Sequence, residues 1–426
     1  MKRKIFEIFA AGLAAFAPLS APAQGADDAF PLPDILTTPI SKTKISTAQD
    51  WKNIARPEIL QFFAENVYGK IPPRPQSIKF ELVESSDDAL DGLAKRRQYK
   101  VASVDVHGSH EFIVLLYLPK SAAGKVPAFV CPNFWGNYSI SDEPQVIMAR
   151  RYIKSARMRI ITDADRGCRP ERIPVRDIVS RGYAIATFCY CDVYPDYVSR
   201  DGALDSVFSI FPDGGEKLAI AAWAWGDIRT RDLLETLPEI DQRRVALAGH
   251  SRLAKTAVYA AANDERFALA CINNGGGKRL CYLPNLRFKY WFSQKLRKYV
   301  ENEATGVSVA ELRKLCAGKP PLPVEQYALI ACIAPRALYL GASDGDLTAP
   351  PEVHFPAVKS VETVYRLFGA KSFPPEGMMF SPKPFHGDTA YHCKKGPHSI
   401  TREDWKNYMD YADKLGWRKQ LQIRKK

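Results

Sequence analysis

A glycine-flanked serine lies between an apolar run and a helix-forming run near the middle of the chain. The apolar run covers residues 245–248, the turn is Gly-His-Ser-Arg at 249–252, and residues 253–263 have helical composition. A strand, a tight glycine turn, a serine and a helix in this order form a nucleophile elbow, in which the serine Oγ is exposed at the top of a sheet. The following helix directs backbone N–H groups and its positive dipole end at the same point. This segment therefore predicts an α/β-hydrolase fold with Ser251 as nucleophile.

Strand-like and helix-like segments alternate along most of the chain. Strand composition is found at 78–83, 97–106, 110–118, 127–132, 183–189, 245–248, 269–272 and 337–342, which we expect to be the complete strand set. Helical periodicity covers 47–68, 217–237, 253–263 and 401–415, the last opened by the cap pair Thr401 and Asp404. Such alternation predicts a three-layer αβα sandwich around a mostly parallel sheet. The first strands look antiparallel, and we expect them to extend the same sheet.

The first 23 residues have the composition of a secretory signal peptide. Three basic residues at 2–4 precede a mostly apolar run at 5–19, interrupted by Glu7, and Ala-Pro-Ala at 21–23 is a small-residue cleavage site. A cytosolic N-terminal helix is the alternative. We expect residues 24–426 to form a single catalytic domain that is secreted or periplasmic. No membrane attachment is expected after cleavage, because no later run approaches the roughly 20 apolar residues that a span requires.

The cysteine content and the net charge indicate which disulfides, metals and binding partners to expect. The chain has nine cysteines, an odd number, so at least one stays unpaired within it. Cys189 and Cys191 are predicted to share one face of a strand, near the upper limit of distance for a disulfide, so we do not expect them to pair. No Cys/His spacing is typical of zinc, and we expect no metal and no cofactor. The net charge of +13 favours an acidic polysaccharide over nucleic acid in an exported protein, or simply a solubilising surface.

A serine nucleophile requires a general base and an acid that orients it. In α/β-hydrolases the chain order is serine, acid, histidine, and four histidines follow Ser251: His354, His386, His392 and His398. His398 lies in a Gly-Pro-His loop directly before the last helix, where this fold places its base, and is favoured. His392 is the alternative.

The acid is expected after the strand at 337–342, because loops at the carboxyl ends of such strands carry the site. The segment 343–346 reads Ser-Asp-Gly-Asp, and local pattern leaves Asp344 and Asp346 as equal candidates, with a plain turn as the alternative. The guanidinium of Arg252 is placed to stabilise an oxyanion. Lys255 lies one helical turn beyond Ser251 and is expected to face the same mouth. An ion pair and an exposed lysine are the alternatives for these two.

Residues 249–257, Gly-His-Ser-Arg-Leu-Ala-Lys-Thr-Ala, resemble the serine motif of glucuronoyl esterases, carbohydrate esterase family 15. Similar segments lie at 133–137, 181–184, 222–226, 333–339 and 396–398, so the resemblance spans most of the chain. It implies a secreted α/β-hydrolase without a metal, with Ser251 as nucleophile and His398 as base. It further implies that Arg252 helps to stabilise the oxyanion and that Lys255 contacts sugar hydroxyls.

The chain departs from the family's pattern around the sugar. Many members carry the catalytic Glu after the strand that follows the nucleophile helix, but residues 273–278 contain no carboxylate. A subset of bacterial relatives uses an aspartate after a later strand, and Asp346 matches that position, so the resemblance favours it over Asp344. Thr348 replaces a sugar-stacking tryptophan and Ala254 replaces the motif glycine. The segment 279–291 lacks the sugar-binding Glu.

The resemblance implies a carboxylic ester hydrolase whose substrate is the 4-O-methyl-glucuronoyl ester between xylan and a lignin alcohol. The expected partners are therefore glucuronoxylan or lignin–carbohydrate fragments, with neither nucleic acid nor a membrane. The altered sugar positions leave an acetyl or feruloyl esterase open as an alternative. A degenerate carbohydrate-binding pseudoenzyme is a further alternative, against which the intact set Ser251, Asp346 and His398 argues. A serine peptidase is the weakest alternative.

Overall fold

The computed structural model describes residues 33–148, 161–196, 206–213, 215–275, 290–296 and 323–418. The predicted signal peptide at 1–23 lies outside these residues. So does the stretch 279–289, which contains most of the segment expected to lack a sugar-binding Glu.

Within the described ranges, ten strands form one sheet in the order β1-β2-β3-β5-β4-β6-β7-β8-β10-β9. They are β1 (Ser77–Asp88), β2 (Ala94–Asp105), β3 (Gly108–Pro119), β4 (Val126–Val130), β5 (Ala184–Phe188), β6 (Ile240–His250), β7 (Leu269–Asn273), β8 (Ala337–Ser343), β9 (Phe385–His386) and β10 (Thr389–Lys394). The strands from β5 to β10 in this order are parallel, whereas β1, β2 and β3 are antiparallel and join through the β3–β5 pair. The expectation that the early strands extend the same sheet is confirmed.

The prediction that the strand at 337–342 completes the set is wrong. β10 pairs in parallel with β8, with Thr389 opposite Leu338, and β9 adds a short antiparallel edge. β10 carries His392 and Lys394, polar residues that obscure a buried strand in the sequence. Both are buried, and both bond to the carboxylate of Asp404, at 2.9 Å from His392 Nε2 and 3.1 Å from Lys394 Nζ. A buried polar side chain is tolerated where its partners are supplied, as here.

The shared strand face predicted for Cys189 and Cys191 is also wrong. β5 ends at Phe188, and Cys191 lies in the short helix Tyr190–Val193. The seven cysteines within the described ranges form no disulfide.

Helices cover the sheet and connect its parallel strands. They are α1 (Ala48–Asp50), a π-helical turn (Trp51–Ala55), α2 (Arg56–Asn66), α3 (Ala89–Gly92), α4 (Val175–Ser180), α5 (Tyr190–Val193), α6 (Ala219–Glu235), α7 (Arg252–Asn263), α8 (Gln326–Ala331), α9 (Pro351–Leu367) and α10 (Arg402–Lys414). The four predicted helices are confirmed, and α10 opens with the expected reciprocal cap of Thr401 and Asp404. No helix in the described ranges has the length and apolar character to cross a bilayer.

The core lies on both faces of the sheet, because successive residues of a strand point to opposite sides. In β4, Ala128 and Val130 pack into the cluster that contains the apolar residues of α6 and α7. Phe129 points the other way, and its ring lies 5.6 Å from that of Trp405 in α10. The predicted three-layer αβα sandwich is therefore confirmed.

One buried carboxyl in this core has no hydrogen-bond partner among the described residues. Asp227 lies in α6 with no solvent exposure, and neither of its carboxylate oxygens is bonded. Burial raises the pKa of Asp227 well above its ordinary value. The folded protein therefore favours the protonated acid at this position.

We expect Asp227→Asn to stabilise the protein more at pH 8 than at pH 5. The pKa of Asp227 is higher in the folded protein than in the unfolded protein. The bound proton therefore stabilises the folded protein fully below the unfolded pKa, near 4. This stabilisation is lost as the pH rises toward the folded pKa. That loss amounts to about 1.4 kcal/mol per pH unit. The neutral amide has no such loss. Urea unfolding at both pH values measures the effect.

The exposed Asp213 provides the matched control, because its carboxylate is already solvated. Asp213→Asn should leave the difference between the two pH values unchanged. Parallel pH dependence in the wild type and Asp227→Asn would contradict the assignment of a protonated buried acid.

Candidate active site

Ser251 occupies a strained turn between β6 and α7. Its backbone has φ 58° and ψ −121°, a conformation that residues other than glycine rarely adopt. Two glycines permit it. A Cβ on Gly249 would lie 2.1 Å from the carbonyl oxygen of Leu253, and a Cβ on Gly275 would lie 2.2 Å from that of Ser251. The predicted nucleophile elbow is present, held by close backbone contacts on both sides.

The structure brings Ser251, His398 and Asp346 together. His398 Nδ1 donates to Asp346 Oδ2 at 2.6 Å, which leaves Nε2 to accept from Ser251 Oγ at 2.8 Å. These side chains come from the turn after β6, the loop before α10 and the loop after β8. The arrangement is the geometry of a serine nucleophile, its base and an orienting acid.

Asp346 is buried and held by four donors. Besides His398, the side chain of Asn274 donates to Oδ2 at 2.7 Å, and the backbone N–H groups of Thr348 and Ala349 donate to Oδ1 at 2.8 and 2.9 Å. Burial opposes ionisation, but hydrogen bonding and charge from His398 outweigh it and hold the pKa of Asp346 well below its ordinary value. The group is therefore a carboxylate throughout the neutral range.

Asp344 and His392, the alternative acid and the alternative base, form their contacts away from Ser251. Asp344 is exposed, and its Oδ1 accepts from the backbone N–H of Gly396 at 2.8 Å, which braces the loop before α10. His392 is buried, with Nε2 2.9 Å from Asp404 Oδ1 and Nδ1 3.0 Å from the Tyr339 hydroxyl. The geometry therefore places Asp346 and His398 at the serine, and neither alternative.

Arg252 is held by a buried carboxylate. Its Nη1 donates to Asp196 Oδ2, and its guanidinium lies 4.5 Å from the ring centroid of Trp291. Asp196 also accepts from the Tyr290 hydroxyl at 2.8 Å, from Trp291 Nε1 at 3.0 Å and from the Tyr190 hydroxyl at 2.5 Å. This is an anchored pair beside the nucleophile, unlike a mobile surface ion pair, so the orientation of Arg252 is fixed.

Lys255 is nearly buried, which excludes the exposed-lysine alternative. Its Nζ donates to the carbonyl of Gly275 at 3.0 Å, on the loop that packs against Ser251. Burial, aided by the charge of Arg252, lowers the pKa of Lys255 to about 8. At neutral pH the ammonium is the main form, with two protons beyond the one given to Gly275.

A second histidine packs against the base. The rings of His250 and His398 have centroids 4.7 Å apart, and His250 Nδ1 lies 2.7 Å from Asn273 Oδ1. Burial, with the charge of His398, lowers the pKa of His250 well below its ordinary value. Burial therefore favours the neutral form of His250, which packs as an uncharged ring against the proposed base.

Sequence reasoning missed Asp196 and Asn274. Both follow the carboxyl end of a parallel strand, β5 for Asp196 and β7 for Asn274, which is the same signal that pointed to Asp346. Asn274 additionally has a φ of 47°, an uncommon backbone conformation for a residue other than glycine. Within the described ranges no group of three or more His, Cys, Asp or Glu side chains is arranged to hold a metal ion.

Comparison with known proteins finds similarity to glucuronoyl esterases. A sequence model described as glucuronyl esterase of fungi matches residues 167–369. A glucuronoyl esterase from Solibacter usitatus superposes with a TM-score of 0.78 at 29% identity, covering 93% of this chain and 99% of its own. Over most of its length the chain is similar to glucuronoyl esterases of carbohydrate esterase family 15. A promiscuous family 15 esterase from a marine bacterial metagenome is similar, with a TM-score of 0.76, 29% identity, and coverage of 90% and 96%.

A curated relative of this chain is carbohydrate esterase MZ0003, from an unknown prokaryotic organism. The two are 29% identical over 404 residues, which cover 90% of this chain and 89% of the relative. The predicted family, the α/β-hydrolase fold and the class of serine carboxylic ester hydrolase are confirmed. The roles of the individual residues remain predictions.

We expect Asn274→Ala to lower kcat for p-nitrophenyl acetate about tenfold with little change in KM, because Asp346 loses a donor that holds it against His398. Asn274→Asp should reduce activity further. A second negative charge beside Asp346 favours the protonated form of the base that the acidic limb reports, so this limb of the pH–rate profile moves to higher pH. A purely structural role would leave the position of that limb unchanged. Asn263→Ala, at the far end of α7, is the control.

Proposed function

We propose that this chain is a secreted serine esterase that hydrolyses the 4-O-methyl-glucuronoyl ester between xylan and a lignin alcohol. The observation that carries the proposal is the hydrogen-bonded series Ser251, His398 and Asp346 in a chain similar to glucuronoyl esterases. Export is supported by the composition of residues 1–23. A periplasmic or extracellular location follows from it.

The proposed reaction begins with attack by Ser251 Oγ on the ester carbonyl. His398 Nε2 accepts the hydroxyl proton at 2.8 Å, and the imidazolium is stabilised by Asp346, whose low pKa keeps it ionised. The 2.6 Å bond from Nδ1 also fixes the ring in the tautomer that can accept a proton at Nε2. Each group is therefore in the protonation state that the step requires.

The developing negative charge on the carbonyl oxygen is proposed to be held by Arg252. Its backbone N–H is at the start of α7, where the helix dipole adds positive potential. Its guanidinium supplies further donors on the same side, oriented by Asp196 and by stacking on Trp291. Preorganised donors of this kind stabilise a tetrahedral intermediate without reorganisation during the reaction.

The intermediate collapses when His398 returns its proton to the leaving alcohol, and the uronoyl group remains on Ser251. A water molecule activated by the same histidine then hydrolyses this acyl-enzyme. Lys255 is proposed to contact sugar hydroxyls with the protons that it does not give to Gly275. Its partial burial makes such contacts stronger than those of a solvated lysine.

A second candidate function is an esterase for a different ester, such as an acetyl or feruloyl ester. Thr348, where many members have tryptophan, favours it, since a stacking surface for the sugar is absent at that position. The promiscuity named for the marine relative is in line with a broader substrate range.

On purified protein we expect turnover of a glucuronate benzyl ester at a higher kcat/KM than the release of acetate from acetylated xylan. Ser251→Ala should abolish both activities, because no other hydroxyl lies on His398 Nε2 in the described residues. Circular dichroism checks that the variant is folded, and a fluorophosphonate should label the wild type alone. Faster acetate release would favour the second candidate, and an unlabelled, inactive wild type would favour a pseudoenzyme.

Substitution of the two aspartates after β8 should have very different effects on kcat. Asp346→Asn removes the charge that orients and stabilises His398, and we expect kcat to fall by about 10³-fold or more. Asp344→Asn only weakens a bond to Gly396 in the loop before α10, so a change below about threefold is expected. Steady-state kinetics on the benzyl ester of the two variants tests this, and comparable losses would contradict the assignment of the acid.

A further inference from the structure

A small pocket lies beside the proposed catalytic centre, between the loop after β4 and the loop before α4. Phe134, Trp135, Arg169, Arg172 and His250 are among its lining residues. Its volume of about 20 Å³ admits one water-sized group and excludes a sugar ring. The proposed mechanism uses neither of the two arginines and neither of the two aromatic rings.

Both arginines stack on aromatic faces. The guanidinium carbon of Arg172 lies 4.7 Å from the ring centroid of Trp135 and 5.2 Å from that of Phe134, and that of Arg169 lies 5.4 Å from the Trp135 ring. Stacking holds the plane of a guanidinium by its face and leaves its N–H edge available for an acceptor. The two arginines therefore present fixed donors to the pocket.

Neither guanidinium forms a side-chain hydrogen bond or an ion pair within the described residues. Glu171, the acid between them in sequence, is exposed, and its charge acts on Arg172 from beyond ion-pair distance. Arg172 is largely desolvated, and burial lowers its pKa to about 10. By contrast, Arg166 and Arg176 in the same region each have an aspartate partner. A stacked and largely desolvated guanidinium whose N–H groups have no bonded acceptor among the described residues favours binding of an anion.

The pocket lies on the side of the leaving group. His250 lines it, and the ring of His250 is 4.7 Å from that of His398. Because the base returns its proton to the departing alcohol, that alcohol must lie on the His398 side of the ester. A substituent on the alcohol can therefore reach the pocket, whereas the uronoyl half faces Arg252 and Lys255.

We propose that Arg169 and Arg172, stacked on Trp135 and Phe134, form a subsite for a carboxylate carried by the alcohol half of the ester. The proposal rests on the proposed esterase function. The preferred substrates are esters of aromatic alcohols that bear a carboxylate on the ring. One carboxylate oxygen enters the water-sized pocket, the carboxylate pairs with the N–H edges of the two arginines, and the ring of the alcohol lies outside the pocket.

The test compares the glucuronate ester of benzyl alcohol with that of 4-(hydroxymethyl)benzoate. We expect the wild type to hydrolyse the carboxylate-bearing ester with about tenfold higher kcat/KM at low ionic strength, a preference that salt reduces. Arg169→Gln and Arg172→Gln should each remove most of this preference and leave the rate on the neutral benzyl ester within about twofold. Arg169 is exposed, so its variant carries little risk of misfolding.

Arg176→Gln is the matched control, since Arg176 is an exposed arginine of the neighbouring helix that pairs with Asp91 outside the pocket. It should retain the full preference. Equal rates of the wild type on the two esters would overturn the subsite, as would a preference that survives in both pocket variants.

The neutral benzyl ester separates failure of the subsite from failure of the proposed function. If neither ester is hydrolysed, the esterase proposal is wrong, and ligand-observed NMR of 4-(hydroxymethyl)benzoate against benzyl alcohol still decides the subsite. Binding of the carboxylate alone, lost in Arg169→Gln, would support it. Equal binding of the two alcohols would overturn it.

Discussion

The geometry of the proposed active site depends on the close backbone contacts that surround Ser251. Gly249 and Gly275 are so near to neighbouring carbonyl groups that a methyl group at either position would overlap them. These contacts hold the serine in its strained conformation and direct Oγ to His398. They also set the positions of the first turn of α7 and the loop after β7, from which Arg252 and Asn274 reach the site. A steric constraint on two glycines thus fixes the proposed nucleophile.

Buried carboxylates organise the rest of the site, and each is held by several donors. Asp346 orients the proposed base, Asp196 orients Arg252, and Asp404 binds His392 and Lys394 beneath them. A charge in such an environment is costly unless its partners are supplied, so each carboxylate positions the side chains around it. Asp227 has no such partners among the described residues, and burial raises its pKa well above the ordinary value.

Local pattern predicted much of the architecture because the relevant signals are short. The elbow at Ser251, the capped helix at Thr401 and the apolar parallel strands each depend on a few adjacent residues. β10 was not predicted because His392 and Lys394 make its sequence look polar. Their burial is explained only by Asp404, which reaches them from α10. Asp196 was missed for a similar reason, as its partners Tyr290 and Trp291 are distant in sequence.

The sequence by itself determined the fold class, the nucleophile candidate and the resemblance to glucuronoyl esterases, because these follow from contiguous motifs. Between Asp344 and Asp346 the local pattern was undecided, and the family resemblance favoured Asp346. Tertiary structure decided the geometry: the turn after β8 buries one carboxylate against His398 and leaves the other at the surface. It also placed Arg169 and Arg172 beside His250, a proximity produced by loops from separate parts of the sheet, which no local pattern encodes.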